Sequence, residues 1–261
     1  MKTKKPKILL WDLETSPNLI LDFSCGFNKN VLHGQLLEER KIIGVCYKYL
    51  DEDKVHHLKW KVEGKGVDAK RCDKGLVRKL SKVLMECDVA IAHNGDGFDY
   101  KWLKGRAMFH RLPPITGVQL IDTYKLSKAN FNLNSQKLDY LSQFLFRKHK
   151  LTTNFSLWKK VWLNDRNSLK YMMEYCEMDV ILLEQAFKEM IPYCERLPLS
   201  LGVLSGGDRD SCGVCGSIER IKQGFKYTQI GKKQKYLCKS CGRISVDTRM
   251  MKEPKKRGNT K

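Results

Sequence analysis

Residues Ile8–Ser16 read ILLWDLETS, an apolar strand that ends in two carboxylates one residue apart. A strand has a side-chain period of two, so Asp12 and Glu14 share one face and Leu13 takes the other. Like charges at that spacing repel, and a central strand would strip their hydration as well. Such a pair is tolerable at the end of a sheet if divalent cations sit among the carboxylates. Hard cations such as Mg²⁺ take oxygen ligands and leave positions for water and substrate phosphate. Two of them, roughly 3.5–4 Å apart, can clamp the attacking and leaving oxygens of a phosphodiester in line.

The rest of the chain supplies a sheet for this strand. β-Branched or aromatic-rich runs bounded by turn residues lie at Lys7–Glu14, Lys41–Leu50, Lys54–Val62, Asp88–Asn94 and Val118–Tyr124. Apolar residues at helical spacing follow in KGLVRKLSKVLMEC, FDYKWLKGRAMFH and LKYMMEYCEMDVILLEQAFKEMI. Three strands followed by strands alternating with helices predict an α/β fold, a mixed five-stranded sheet flanked by helices on both faces. Residues 18–40 and 125–160 carry no clear period; the second, which contains the basic, aromatic-interleaved FRKHKLTTNFSLWKK, is read as loop with a short helix. A Pro-, Gly- and Ser-bearing stretch at 197–211 is read as a linker. The expected domains are therefore 1–196, the linker 197–211, a cysteine module at 212–246 and a basic tail at 247–261, expected to be disordered.

Two further carboxylates qualify as partners of the opening pair. Asp99 follows a strand and opens a helix in HNGDGFD, where a carboxylate is also a good cap; Asp96 is its rival. Asp179 stands four residues after Tyr175 in YCEMD, an i,i+4 spacing that puts both on one helical face, with Tyr171 one turn back. Asp122 and His93 are read as structural hydrogen-bonding groups, and Asn94 as either structural or a substrate contact.

DLE in a first strand, HNGDGFD before a helix and YCEMD on a late helix resemble the three exonuclease motifs of the DEDD superfamily. They are most similar to its tyrosine-bearing branch, which includes the proofreading domains of family-B DNA polymerases. The likeness runs over residues 7–190, with LIDTYKLSK and NSQKLDYLSQFL resembling connecting segments of that group. It extends to stand-alone RNase H-like proteins, many from phages and prophages, that end in a zinc ribbon. The resemblance implies an RNase H-like fold and a two-metal (Mg²⁺ or Mn²⁺) 3′→5′ exonuclease. Asp12 would bridge both ions. Glu14 and Asp179 would complete the site of the ion that activates water, and Asp99 would hold the second ion through water. Tyr175 would orient the attacking water, where a sister branch uses histidine.

The cysteine module rests on spacing. Cys212 and Cys215, then Cys238 and Cys241, form two CxxC pairs with 22 residues between them, each followed by glycine. Four thiolates so placed suit one tetrahedral structural Zn²⁺. The intervening SIERIKQGFKYTQIGKKQKYL reads as a hairpin turning near Gly231, and the whole pattern resembles the zinc ribbons of insertion-element transposases. So small a segment has too little core of its own, which makes the metal part of its folding energy.

Charge points the same way. The chain carries 49 Lys+Arg against 29 Asp+Glu, and residues 212–261 alone hold 14 basic and 3 acidic side chains. That is the electrostatic footprint of a polyanion binder. Lys226, Lys232, Lys233 and Lys235, interleaved with Tyr227 and Tyr236, suit phosphate neutralisation plus base stacking by a single strand. Asn94 is the expected substrate contact beside the acidic site. No apolar run reaches the roughly 18–20 residues of a membrane helix, and the basic start is too soon interrupted for a signal peptide. A cytoplasmic location is expected, host cytoplasm if the chain is phage-encoded. The expected partner is a single-stranded 3′ end, DNA favoured over RNA. The alternative is a catalytically inactive nucleic-acid-binding adaptor with a DEDD-like fold. An RNase H-type strand-transfer enzyme ranks last, because that class lacks the YxxxD helix.

Overall fold

The computed structural model describes residues 6–23, 31–50, 52–149, 151–195, 197–199, 202, 207, 210–247 and 249. The chain divides into two compact units, one of Lys7–Glu189 and one built from Met190 onward.

In the larger unit the strands are β1 (Ile8–Thr15), β2 (Leu19–Ile20), β3 (Leu36–Glu38), β4 (Ile42–Tyr49), β5 (His56–Lys59), β6 (Lys61–Glu63), β7 (Lys70–Cys72), β8 (Val89–Ala92) and β9 (Leu120–Asp122). The helices are α1 (Lys74–Met85), α2 (Asp99–Phe109), α3 (Thr123–Asn130), α4 (Leu138–Phe146), α5 (Phe155–Trp162) and α6 (Arg166–Met190, whose last residue opens the second unit). Five strands form one mixed sheet in the order β5-β4-β1-β8-β9. β4 runs antiparallel to both β1 and β5, whereas β1, β8 and β9 are parallel.

The pleat of β1 sorts its side chains between two layers. Leu9, Trp11 and Leu13 are buried in a cluster with Leu76, Leu80 and Leu84 of α1 and Leu103 of α2. Ile8, Leu10, Asp12 and Glu14 take the other face, the side on which α6 packs. A second cluster there joins Met172 of α6 to Ile43, Trp60, Val161 and Trp162. Gly44 of β4 allows the close approach of α6: a Cβ at this position would stand 2.4 Å from Met173 Sδ.

The expected Lys54–Val62 strand is broken. Trp60 is buried in the second cluster and its amide bonds to the Ile43 carbonyl at 2.9 Å. The chain leaves the main sheet there, and β6 pairs with β7 as a separate ribbon. The stretch 125–160 is more helical than expected. Asp122 caps α3 through the amides of Tyr124 and Lys125, and Asn154 caps α5 through that of Ser156.

A buried ion cluster ties the start of α1 to α2 and β4. Asp73 precedes α1, yet its carboxylate does not cap that helix. It accepts from Arg106 Nε (2.7 Å) and Nη2 (2.8 Å) on α2 and from the Ile42 amide of β4 (3.0 Å), and it meets His110 Nε2 at 2.6 Å.

The second unit contains β10 (Arg220–Thr228), β11 (Gly231–Cys238) and β12 (Ile244–Val246), an antiparallel three-stranded sheet in that order. The basic tail, apart from Asp247 and Arg249, and most of the expected linker lie outside the described residues. No helix among the described residues is long and apolar enough to cross a membrane.

Candidate active site

β1 outruns its parallel neighbour. Its pairing with β8 ends at Leu10 opposite Ile91, whereas its pairing with β4 continues past Asp12, opposite Cys46, and Glu14, opposite Gly44. The two carboxylates therefore stand beyond the carboxyl end of β8, where open α/β sheets form their ligand crevices. Asp99, the first residue of α2, fills the gap left by β8: its Oδ1 accepts the Leu13 amide at 3.1 Å. A backbone donor that would otherwise lose its ladder partner is thereby satisfied.

α6 closes the site from above. Its pitch aligns Tyr175 and Asp179 on one face, and Asp179 is buried at 4% exposure. One carboxylate oxygen from each of Asp12, Glu14 and Asp179 lies within 4.8 Å of the others. Three of the four expected carboxylates thus converge. Asp99 sits beside the trio, given to the Leu13 amide rather than joined to the group. Burial pushes its carboxyl up to about 7, against the pull of backbone amides and with the added charges of Asp122 and Asp179. The floor of the site is thiol: Cys176 Sγ lies 3.5 Å from the Asp12 carbonyl oxygen and 3.6 Å from its Oδ2.

A cleft of about 900 Å³ opens beside Asp12, Tyr175 and Asp179, with Tyr124, Lys137 and His149 among the other residues that line it. Lys137 and His149 escaped the sequence reading. Lys137 carries no local signal, and His149 belongs to a basic run that reads only as loop. The Tyr171 hydroxyl bonds the Thr152 carbonyl at 3.1 Å, which ties α6 to the stretch that forms part of the cleft wall.

The turn after β8 is organised by Asp122. Its carboxylate accepts the amides of Asn94 (2.9 Å) and Asp96 (3.2 Å) while capping α3. Asn94 is exposed at the cleft with φ 62°, and His93 meets Thr123 Oγ1 at 2.9 Å. Asp96, the rival to Asp99, is paired with Lys125 at 2.8 Å.

In the second unit the four cysteine sulfurs lie within 4.8 Å of one another, with Cys212–Cys241 at 3.7 Å and Cys215–Cys238 at 3.6 Å. These separations far exceed the ~2.05 Å of a disulfide and match the ~3.8 Å edge of a tetrahedron with ~2.3 Å Zn–S bonds. Gly216 (φ 73°) and Gly242 (φ 70°) close matching turns, their amides returning to the carbonyls of Cys212 and Cys238. Burial opposes ionisation of Cys238, but the Cys241 and Ser240 amides and neighbouring thiols outweigh it and bring the thiol down to about 7. The donor set fits Zn²⁺.

The hairpin register divides the expected nucleic-acid contacts between two faces. Tyr227, Lys232 and Tyr236 share one face, and Lys226, Lys233 and Lys235 take the other.

A family model, RNase_H_2 of the RNase H superfamily, matches residues 37–191. The chain belongs to the RNase H superfamily. The matched stretch contains Asn94, Asp99, Tyr175 and Asp179 of this RNase H-like domain and begins after β1. Among solved structures, the family B DNA polymerase from the hyperthermophilic archaeon Pyrobaculum calidifontis is similar with a TM-score of 0.53 at 17% identity. The similarity covers 72% of this chain and 25% of the polymerase chain, and at that identity it speaks for the fold alone. No curated protein matches the chain in sequence.

Proposed function

We propose that the protein is a metal-dependent 3′→5′ exonuclease of the tyrosine-bearing DEDD branch, hydrolysing single-stranded nucleic-acid ends, with DNA favoured over RNA. The observation that carries this reading is the convergence of Asp12, Glu14 and Asp179, from β1 and α6, within 4.8 Å of one another, at an open cleft lined by Asp12, Asp179 and Tyr175. Superfamily membership supports it, since RNase H-like folds typically serve nucleases.

Asp12, Glu14 and Asp179 would hold two Mg²⁺ or Mn²⁺ ions, with Asp99 reaching one of them through water. When bound, such ions supply charge neutralisation at the phosphate and a nucleophile at neutral pH. The chain's own side chains do the rest. Tyr175, on the same helical face as Asp179, orients the attacking water by hydrogen bond. Asp99 fixes the tip of β1 through the Leu13 amide and so holds Asp12 and Glu14 in register. Asn94 contacts the substrate, and Lys137 and His149 line the cleft where a phosphodiester backbone would lie. The four cysteines would hold one structural Zn²⁺, and the ribbon at 212–246 would tether the nucleic acid, joined by 197–211 to a nuclease domain of residues 1–196. The overall plan is that of stand-alone phage and prophage proteins acting in the cytoplasm.

The test is direct. With Mg²⁺ or Mn²⁺ the protein should shorten a 5′-labelled oligonucleotide stepwise from its 3′ end, and Asp12→Ala or Asp179→Ala should abolish this. A parent chain that binds the oligonucleotide without shortening it would mark an adaptor. Variants that cut as well as the parent would remove the assignment.

A further inference from the structure

The β10–β11 hairpin has two chemically different faces, and an irregularity in its ladder creates the difference. Lys222 opposes Tyr236 and Phe225 opposes Gln234, so two residues of β10, Gln223 and Gly224, stand against Lys235 alone. This is a β-bulge, which shifts the side-chain alternation by one residue. Gly224 takes φ 68°, a left-handed conformation that suits glycine, and its carbonyl accepts Gln234 Nε2 at 2.8 Å. Without the bulge, Arg220 and Lys222 would lie opposite to Phe225 and Tyr227. With it, all four share one face, together with Lys232 and Tyr236 across the ladder.

On that face rings and cations come in pairs. Lys232 Nζ lies 4.8 Å from the Phe225 ring centroid, and Arg220 Cζ lies 4.6 Å from that of Tyr236. Tyr227, near the tip, is 77% exposed. The opposite face is apolar at its base, where Ile221, Leu237 and Ile244 line up across the three strands. Its Lys226 and Val246 line a groove together with Pro192 and Leu197 of the same unit. No acidic residue occurs between Arg220 and Cys238.

We propose that the bulge-assembled face bearing Phe225, Tyr227, Lys232 and Tyr236 is the docking surface for single-stranded nucleic acid, and that Lys226 and Lys233 on the other face are not part of it. Bases stack on the rings, and the adjoining cations neutralise the phosphates, a combination that is tolerant of sequence. The inference rests on the reading of the cysteine module as a nucleic-acid tether.

The experiment uses the full zinc-loaded chain carrying Asp12→Ala, to prevent hydrolysis, and a fluorescein-labelled 15-nucleotide oligo-dT followed by anisotropy across a salt series. Tyr227→Ala should weaken binding roughly fivefold to a hundredfold, with an unchanged salt slope and unchanged zinc content. Lys232→Gln should lower the magnitude of the slope by about 0.7. Lys226→Gln should leave slope and affinity near those of the Asp12→Ala parent. Parental affinity for Tyr227→Ala, or an equal loss from Lys226→Gln and Lys232→Gln, would overturn the assignment. The chain with native Asp12 is assayed alongside for oligonucleotide shortening. A chain that never cuts, yet binds less well with Tyr227→Ala, keeps the docking face and loses the nuclease reading; a chain that cuts, with affinity indifferent to Tyr227, does the reverse.

Discussion

Asp179→Asn removes one charge from the acidic trio while preserving shape, and its effect on stability should change sign with magnesium. Asp179 is 4% exposed, and an oxygen of its carboxylate lies within 4.8 Å of oxygens from both Asp12 and Glu14. At that distance and an effective dielectric of ~20, each like-charge pair costs about 3.5 kcal/mol. Two pairs amount to about 7 kcal/mol, which solvent at the open cleft screens to roughly 1–2 kcal/mol. In urea, zinc-replete but magnesium-free protein should therefore unfold at a higher midpoint in the variant than in the parent, with an unchanged slope. Addition of 10 mM MgCl₂ should reverse the order. For a dissociation constant of ~0.1 mM the parent gains about 2.7 kcal/mol, whereas the variant, lacking a ligand, gains little. A magnesium-free variant less stable than the parent, or equal magnesium shifts in both, would refute the reasoning.

Three more outcomes follow from the same structure. Because burial pushes the Asp99 carboxyl up to about 7, the folded metal-free protein keeps a proton that the unfolded chain, titrating near 4, releases. Stability should accordingly fall as pH rises from about 4 to about 7, by at most about 4 kcal/mol from this group, and Asp99→Asn should flatten that slope in a urea series; identical slopes would count against it. Burial opposes ionisation of Asp73, but Arg106, His110 and the Ile42 amide prevail and hold its carboxyl below the usual range. Its contribution is present above about pH 4 and drains away as pH falls through the lowered value, and Asp73→Ala should cost about 3–5 kcal/mol at pH 7 by calorimetry. Gly44→Ala would press its Cβ against buried Met173, and should cost about 1–3 kcal/mol while lowering oligonucleotide shortening as α6 shifts from β1.

Much of this architecture was legible where periodicity and burial coincide. β1, β4 and β8 are apolar runs in the centre of the sheet, and α1 and α6 keep a helical period over three turns or more, whereas α2 buries Asp99 and Arg106 and exposes Met108 and Phe109. The break at Trp60 was not legible, because it depends on a tertiary pocket and a bond to Ile43. Helices α3 and α5 are eight residues each, too short for a strong periodic signal, and their starts depend on caps from Asp122 and Asn154. Of the site, residue types and spacing were enough to nominate Asp12, Glu14, Tyr175 and Asp179. That Asp99 would spend an oxygen on the Leu13 amide, and that Lys137 and His149 would reach the cleft, follow only from the packing of distant segments. The bulge at Gln223–Gly224 is the clearest case. One unpaired residue decides which lysines lie beside which rings; Gly224 inside the strand is its local mark, but the pairing register that fixes the faces is not local.

The most direct test of the metal cage is anomalous diffraction from crystals grown with MnCl₂ and a short oligonucleotide. Two manganese peaks are expected, both bounded by carboxylate oxygens of Asp12, Glu14 and Asp179, with one also within a water's reach of Asp99. Manganese peaks elsewhere on the protein with none at this trio would contradict the account.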